Sequence, residues 1–168
     1  NWHVFMTDLQ DKTTRDLTPY LGIQATVVKT SFETPDTLLV SMNKRNPQLH
    51  DVYKVDLDTG AMVVDTLNPG DVVGWLADEQ MQVRACQGAA PDGGFIIRVR
   101  DDKASDWREL LTVSHEDSDT HMVSFSQVGQ KLYLVSSVGT NTARFVSWNL
   151  KTNEQITIFE DSDADVRS

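Results

Sequence analysis

Ser114, His115, Glu116 and Asp117 stand side by side and carry the hydroxyl, imidazole and carboxylate types of a hydrolytic triad. A triad is an arrangement in space, and four neighbours in sequence have no reason to face one another. The segment reads as a solvated loop between strands. With His121 and Asp119 added, the stretch holds donors for a divalent cation, at a spacing that follows no ligand rule. Asp161, Asp163 and Asp165 alternate as in the opening of a calcium loop, but Val166 stands where that loop needs glycine, so a connector explains the run better. Cys86, the single cysteine, ends the run Met81–Cys86, which reads as a strand, and itself reads as a packed thiol. No catalytic residue, metal site or cofactor is assigned to the chain on these grounds.

Arg45, His50 and Asp51 form the segment with the clearest claim to a contact. They fall between two apolar runs, Thr37–Met42 and Asp51–Leu57, in a polar stretch that reads as a loop of about eight residues. Loops on a rigid scaffold often meet ligands or neighbouring domains, so these three are the candidate contact residues. A purely structural role, with Pro47 stiffening the loop and Asp51 opening the next strand, is the competing account.

Charge removes several functions. The 168 residues carry 15 Lys and Arg against 25 Asp and Glu, a formal charge of −10. Duplex binding depends on cations that neutralise phosphates, so nucleic acid and anionic membrane surfaces are not expected partners. No run reaches the roughly 18 to 20 apolar residues that span a bilayer. One cysteine excludes an internal disulfide. The expectation is a soluble protein, cytoplasmic or periplasmic, with the compartment unassigned.

The elements that must position these groups are strands. Short apolar or alternating runs, from Trp2–Leu9 to Glu154–Phe159, are separated by polar turns and show almost no helical period. Ala77–Gln82 is helix-friendly but too short to stand alone. Three segments align without gaps: Thr7–Lys12, Val55–Gly60 and Trp148–Asn153, the second 48 residues after the first and the third 93 residues after the second. In each, an apolar strand ends in Asp or Asn followed by Leu and turns through a short polar loop. Gly60 and Asn153 occupy the last turn position, where a positive φ closes the turn; Lys12 leaves the first copy less certain. Asp56 and Asn149 are expected to accept turn hydrogen bonds. A degenerate copy fits at 95–112.

The period is then roughly 43 to 50 residues, with four strands in each, which is the sequence form of a β-propeller blade. The expected fold is all-β, a partial β-propeller of about three and a half four-stranded antiparallel blades. Residues 23–68, 70–114 and 121–160 make three blades, 2–18 the outer half of a preceding one, and 161–168 a connector to a following one. Trp2, Trp75, Trp107 and Trp148 are expected to pack between blades. The segment reads as a piece of a larger propeller, or as a unit completed by self-association.

The chain resembles a known family. Tyr53–Gly60 (Tyr-Lys-Val-Asp-Leu-Asp-Thr-Gly), preceded by Asn43–Pro47 and His50–Tyr53, is similar to the N-terminal β-propeller of bacterial S9 (prolyl oligopeptidase type) serine peptidases, which include acylaminoacyl peptidases and dipeptidyl aminopeptidases. Arg15–Pro19, Pro91–Gly94, Trp107–Leu111 and Thr142–Val146 extend the resemblance along the chain. It implies a propeller seated over a separate α/β-hydrolase domain of the same parent chain, limiting entry to short peptide substrates. The serine elbow of that domain, Gly-x-Ser-x-Gly, occurs nowhere in this sequence, so the chain alone is not expected to hydrolyse peptides. The alternative is an independent propeller-type module that binds a protein or peptide without a hydrolase partner.

Overall fold

Alternating apolar and polar residues make strands here, and Asp, Asn or Gly closes the turns between them. The computed structural model describes residues 1–167. A two-stranded antiparallel sheet comes first, β1 (Phe5–Thr7) with β2 (Thr14–Asp16). Three four-stranded sheets follow. The first joins β3 (Ala25–Thr30), β4 (Thr37–Asn46), β5 (Leu49–Asp56) and β6 (Met62–Thr66). The second joins β7 (Val72–Ala77), β8 (Val83–Ala89), β9 (Phe95–Val99) and β10 (Arg108–Val113). The third joins β11 (His121–Phe125), β12 (Lys131–Ser136), β13 (Arg144–Asn149) and β14 (Gln155–Phe159). Each is a meander with sequence neighbours hydrogen-bonded. This is a partial β-propeller of about three and a half blades, and its only helical piece among the described residues is a 3-10 turn at His115–Asp117.

The chain divides into two compact units, Asn1–Trp75 and the part from Leu76 onward. In the first, Leu17, Ile23 and Ala25 meet Leu38, Val40, Met42, Tyr53 and Val55 in one core, so the half-blade packs on the first full sheet. In the second, Ala85, Ile97 and Val99 meet Phe125, Leu132, Leu134 and Val146, which stacks two sheets face to face. Cys86 is sealed in, at 1% exposure.

The repeat turns share one device. The side-chain oxygen of the Asp or Asn that ends the strand accepts from backbone N–H groups two or three residues on: Asp8 from Gln10 (2.7 Å), Asp56 from Thr59 (2.8 Å), Asp102 from Ala104 (2.8 Å), Asn149 from Lys151 (3.0 Å). Gly60 and Asn153 have φ of 73° and 59°. Lys12 takes 60°, so the first copy closes as the others do, and Asp11 accepts from the Thr13 N–H at 2.9 Å.

Three expectations are corrected. The polar stretch 43–50 is no loop: β4 continues to Asn46 and β5 begins at Leu49, leaving Pro47 and Gln48 as the turn. Polar residues were compatible with strand because this end of the hairpin is exposed and a register shift between Met42 and Asn46 re-aims the side chains. Trp2 is 68% exposed; it forms an isolated parallel bridge to Gln24 instead of filling a core. Trp75 donates its indole N–H to the His50 carbonyl (2.9 Å), Trp107 lies under the Arg100 guanidinium (4.5 Å), and Trp148 alone of the four packs against one of the two main cores.

Gly94 sits where a side chain has no room: a Cβ there would overlap the Val113 carbonyl oxygen across the β9–β10 hairpin. Gly94→Ala should therefore cost about 1–3 kcal/mol in urea unfolding. An unchanged midpoint would show that the hairpin yields freely.

Candidate functional site

The three candidate contact residues lie on the β4–β5 hairpin, and the structure brings two of them together. Arg45 on β4 and Asp51 on β5 form a two-pronged ion pair, Nε to Oδ2 at 2.7 Å and Nη2 to Oδ1 at 2.8 Å. Such a fork matches the planar guanidinium to the carboxylate and is stronger than a single charged hydrogen bond. Asp51 has no solvent exposure, whereas the Arg45 side chain is 45% exposed, so the carboxylate is sealed beneath its partner.

A residue that the sequence reading passed over completes this cluster. Asn68 donates its backbone N–H to Asp51 Oδ1 at 2.7 Å and offers its carbonyl to Arg45 Nη2 at 3.4 Å. Its side chain accepts from Gly70 and Val72 N–H (2.9 and 3.1 Å) and donates to the Val72 carbonyl (2.7 Å). Asn68 thereby ties the end of the first sheet to the start of β7. The signal was present in Asn68-Pro69-Gly70, a turn sequence in which the Asn side chain commonly replaces a backbone acceptor, but its partner Asp51 is 17 residues away.

His50 takes part through its backbone: its carbonyl accepts from Asn68 Nδ2 at 3.3 Å and from the Trp75 indole at 2.9 Å. Its half-buried ring makes no hydrogen bond among the described residues. Burial alone would raise the Asp51 carboxyl, but Arg45 and the Asn68 N–H outweigh it and hold the group below the usual carboxylate range. Burial raises the neighbouring Tyr53 phenol. Chemically, this is a clasp that fixes the hairpin; Asp51 is inaccessible to a ligand, and the outer edge of Arg45 and the His50 ring are what remains for contact.

The other tempting groups do not converge. Ser114 donates to Asp117 Oδ2 at 2.9 Å, while His121 on β11 is bonded through Nδ1 to the Asp119 carbonyl at 2.9 Å. Among the described residues, no three His, Cys, Asp or Glu side chains gather as a metal group. Asp161 Oδ1 accepts from Asp163 N–H, and Asp165 Oδ1 accepts from Ala143 N–H at 2.8 Å, which pins the chain after β14 to the start of β13.

The clasp predicts a pH dependence. A carboxyl lowered on folding stabilises the fold above the ordinary carboxylate pKa, and that contribution is lost as pH falls through the lower, folded value. Asp51→Ala should cost about 1–3 kcal/mol at pH 7, because it leaves the buried Asn68 N–H without its acceptor. Asp51→Asn should be closest to the parent in strongly acidic solution. Parallel unfolding midpoints of parent and Asp51→Asn from pH 7 to pH 3 would contradict this.

No family model matches the chain. It is 32% identical over 167 residues to dipeptidyl aminopeptidase BIII of Pseudoxanthomonas mexicana, a match that covers 99% of this chain and 24% of that protein. The chain thus spans about a quarter of the length of that relative. Among solved structures, TolB from Acinetobacter baumannii matches 95% of the chain and 38% of its own with a TM-score of 0.66 at 12% identity. A prolyl endopeptidase matches 94% of the chain and 26% of its own with a TM-score of 0.56 at 9% identity. At these identities the two structures speak to the fold alone, and the fold they share with this chain is a β-propeller. Together with the sequence match along nearly its whole length, they show this chain to be a partial β-propeller that is similar to about a quarter of a dipeptidyl aminopeptidase.

Proposed function

We propose that this segment is the non-catalytic propeller of a serine peptidase that hydrolyses short peptides, and that it gates substrate access to a separate α/β-hydrolase domain and docks on it. One observation carries the proposal: nearly the whole chain matches a dipeptidyl aminopeptidase while accounting for only 24% of that protein. In the parent, a serine in a Gly-x-Ser-x-Gly elbow would attack the peptide carbonyl and transfer the acyl group. This chain supplies no such nucleophile. Its contribution is steric and positional: stacked sheets whose turns are locked by side-chain oxygens present fixed loops, and a fixed rim excludes folded proteins by size. The exposed edge of Arg45 and the ring of His50 are the groups we assign to contact with the hydrolase domain.

The purified chain should neither cleave dipeptidyl-p-nitroanilides nor take up a fluorophosphonate probe, whereas the complete gene product should do both, with the label on a serine downstream of the propeller. A complete gene product with propeller repeats and no labelled serine would overturn this proposal in favour of an independent binding module.

A further inference from the structure

We infer that the cleft between the second and third four-stranded sheets is a binding site for a peptide carboxylate. It measures about 620 Å³ and is lined by Arg84, Asp101, Arg108, Gln130, Lys151 and Asn153 among others. Two copies of one repeat position differ at this cleft. Arg15 and Arg108 are 93 residues apart, as are the turns Leu57–Gly60 and Leu150–Asn153. Each arginine bonds the carbonyl of the leucine 42 residues ahead, Arg15 to Leu57 and Arg108 to Leu150.

The copies then diverge. Arg15 also donates from Nη1 to the Asp58 carbonyl at 3.0 Å, and its turn carries two carboxylates, Asp56 and Asp58. Arg108 keeps a single carbonyl bond, from Nη2 at 2.7 Å, and its turn carries Asn149 and Lys151 instead. Among the described residues its one carboxylate neighbour is Asp101, 3.9 Å away and 76% exposed. Arg84 in the wall is already matched by Asp78 at 3.3 Å and by the Gly129 carbonyl at 2.9 Å. Among the described residues that line the cleft, Arg108 and Lys151 therefore share one exposed carboxylate, in a chain whose net charge is −10.

The geometry selects the anion. Arg108 Nε and Nη1 have no acceptor among the described residues, so each edge of the guanidinium, Nε/Nη2 and Nη1/Nη2, keeps a free N–H beside the Nη2 that holds Leu150, in the plane that suits a carboxylate. Asn153 accepts the Trp148 indole N–H at Oδ1 (2.9 Å), which leaves its amide N–H groups to donate. Asp101 at the rim opposes a doubly charged phosphate more than a singly charged carboxylate.

The inference does not rest on the peptidase proposal, because binding is read on the 168-residue chain itself. Acetyl-dialanine, its amide and acetyl-Ala-Glu-amide would be titrated calorimetrically, with inorganic phosphate as a fourth probe. A free terminal or side-chain carboxylate should bind and the plain amide should not; the two carboxylate peptides tell which source fits better. Lys151→Asp restores the residue found at position 58, so it should weaken binding at least tenfold and raise the unfolding midpoint of the empty protein. Equal binding of the amide, tighter binding of phosphate, or unchanged affinity in Lys151→Asp would each overturn the proposal. So would a midpoint that does not rise, which would remove the like-charge premise.

Discussion

Burial on both faces of a sheet is the constraint from which the rest of this structure follows. Leu38, Leu39, Val40, Ser41 and Met42 run consecutively along β4, and none is more than 9% exposed. Successive strand residues point to opposite faces, so a run of this kind leaves no face for water. A single sheet cannot satisfy that, and the hydrophobic gain of roughly 25 cal/mol per Å² is realised only by stacking sheet on sheet. The two cores show the result: each draws its residues from two successive sheets.

Stacking leaves the polar ends of the sheets to be satisfied, and here the chain uses side chains at fixed repeat positions. Asp8, Asp56, Asp102 and Asn149 hold their own turns, while Arg15 and Arg108 reach from one sheet to a turn carbonyl of the next. These bonds tie the packing of apolar faces to the positions of the loops. A scaffold with immobilised turns suits a part that shapes access to chemistry performed elsewhere, which is the role proposed for it. The same repeat also shows how a structural position is adapted: an arginine that binds two carbonyls beside acidic residues in one copy becomes an arginine with one carbonyl beside a lysine in another.

The Arg45–Asp51 clasp shows why part of the site was hidden. Both residues were visible as polar groups near Pro47, and their types alone suggested a loop that meets a partner. Whether two opposite charges six residues apart face each other depends on where the hairpin turns and on its register. The turn lies at Pro47 and Gln48, so β4 and β5 bring the pair together, and Asn68 closes over it from a turn that is distant in sequence. Trp2 shows the same limitation from the other side. An aromatic in an apolar run signals burial, but Trp2 pairs its backbone with Gln24 and leaves its side chain 68% exposed.

By itself, the amino-acid order determined what is local and periodic. Short apolar or alternating runs specified strands, Asp or Asn with a following Leu specified the turns, and their recurrence specified blades, because each of these features acts over a few residues or repeats at a fixed interval. The family resemblance followed from the same segments. Tertiary structure decided which polar groups pair, which tryptophans are covered and where charge is left without a matching partner. Those outcomes depend on register and on contacts between segments 17 to 45 residues apart, for which no residue type carries a code of its own.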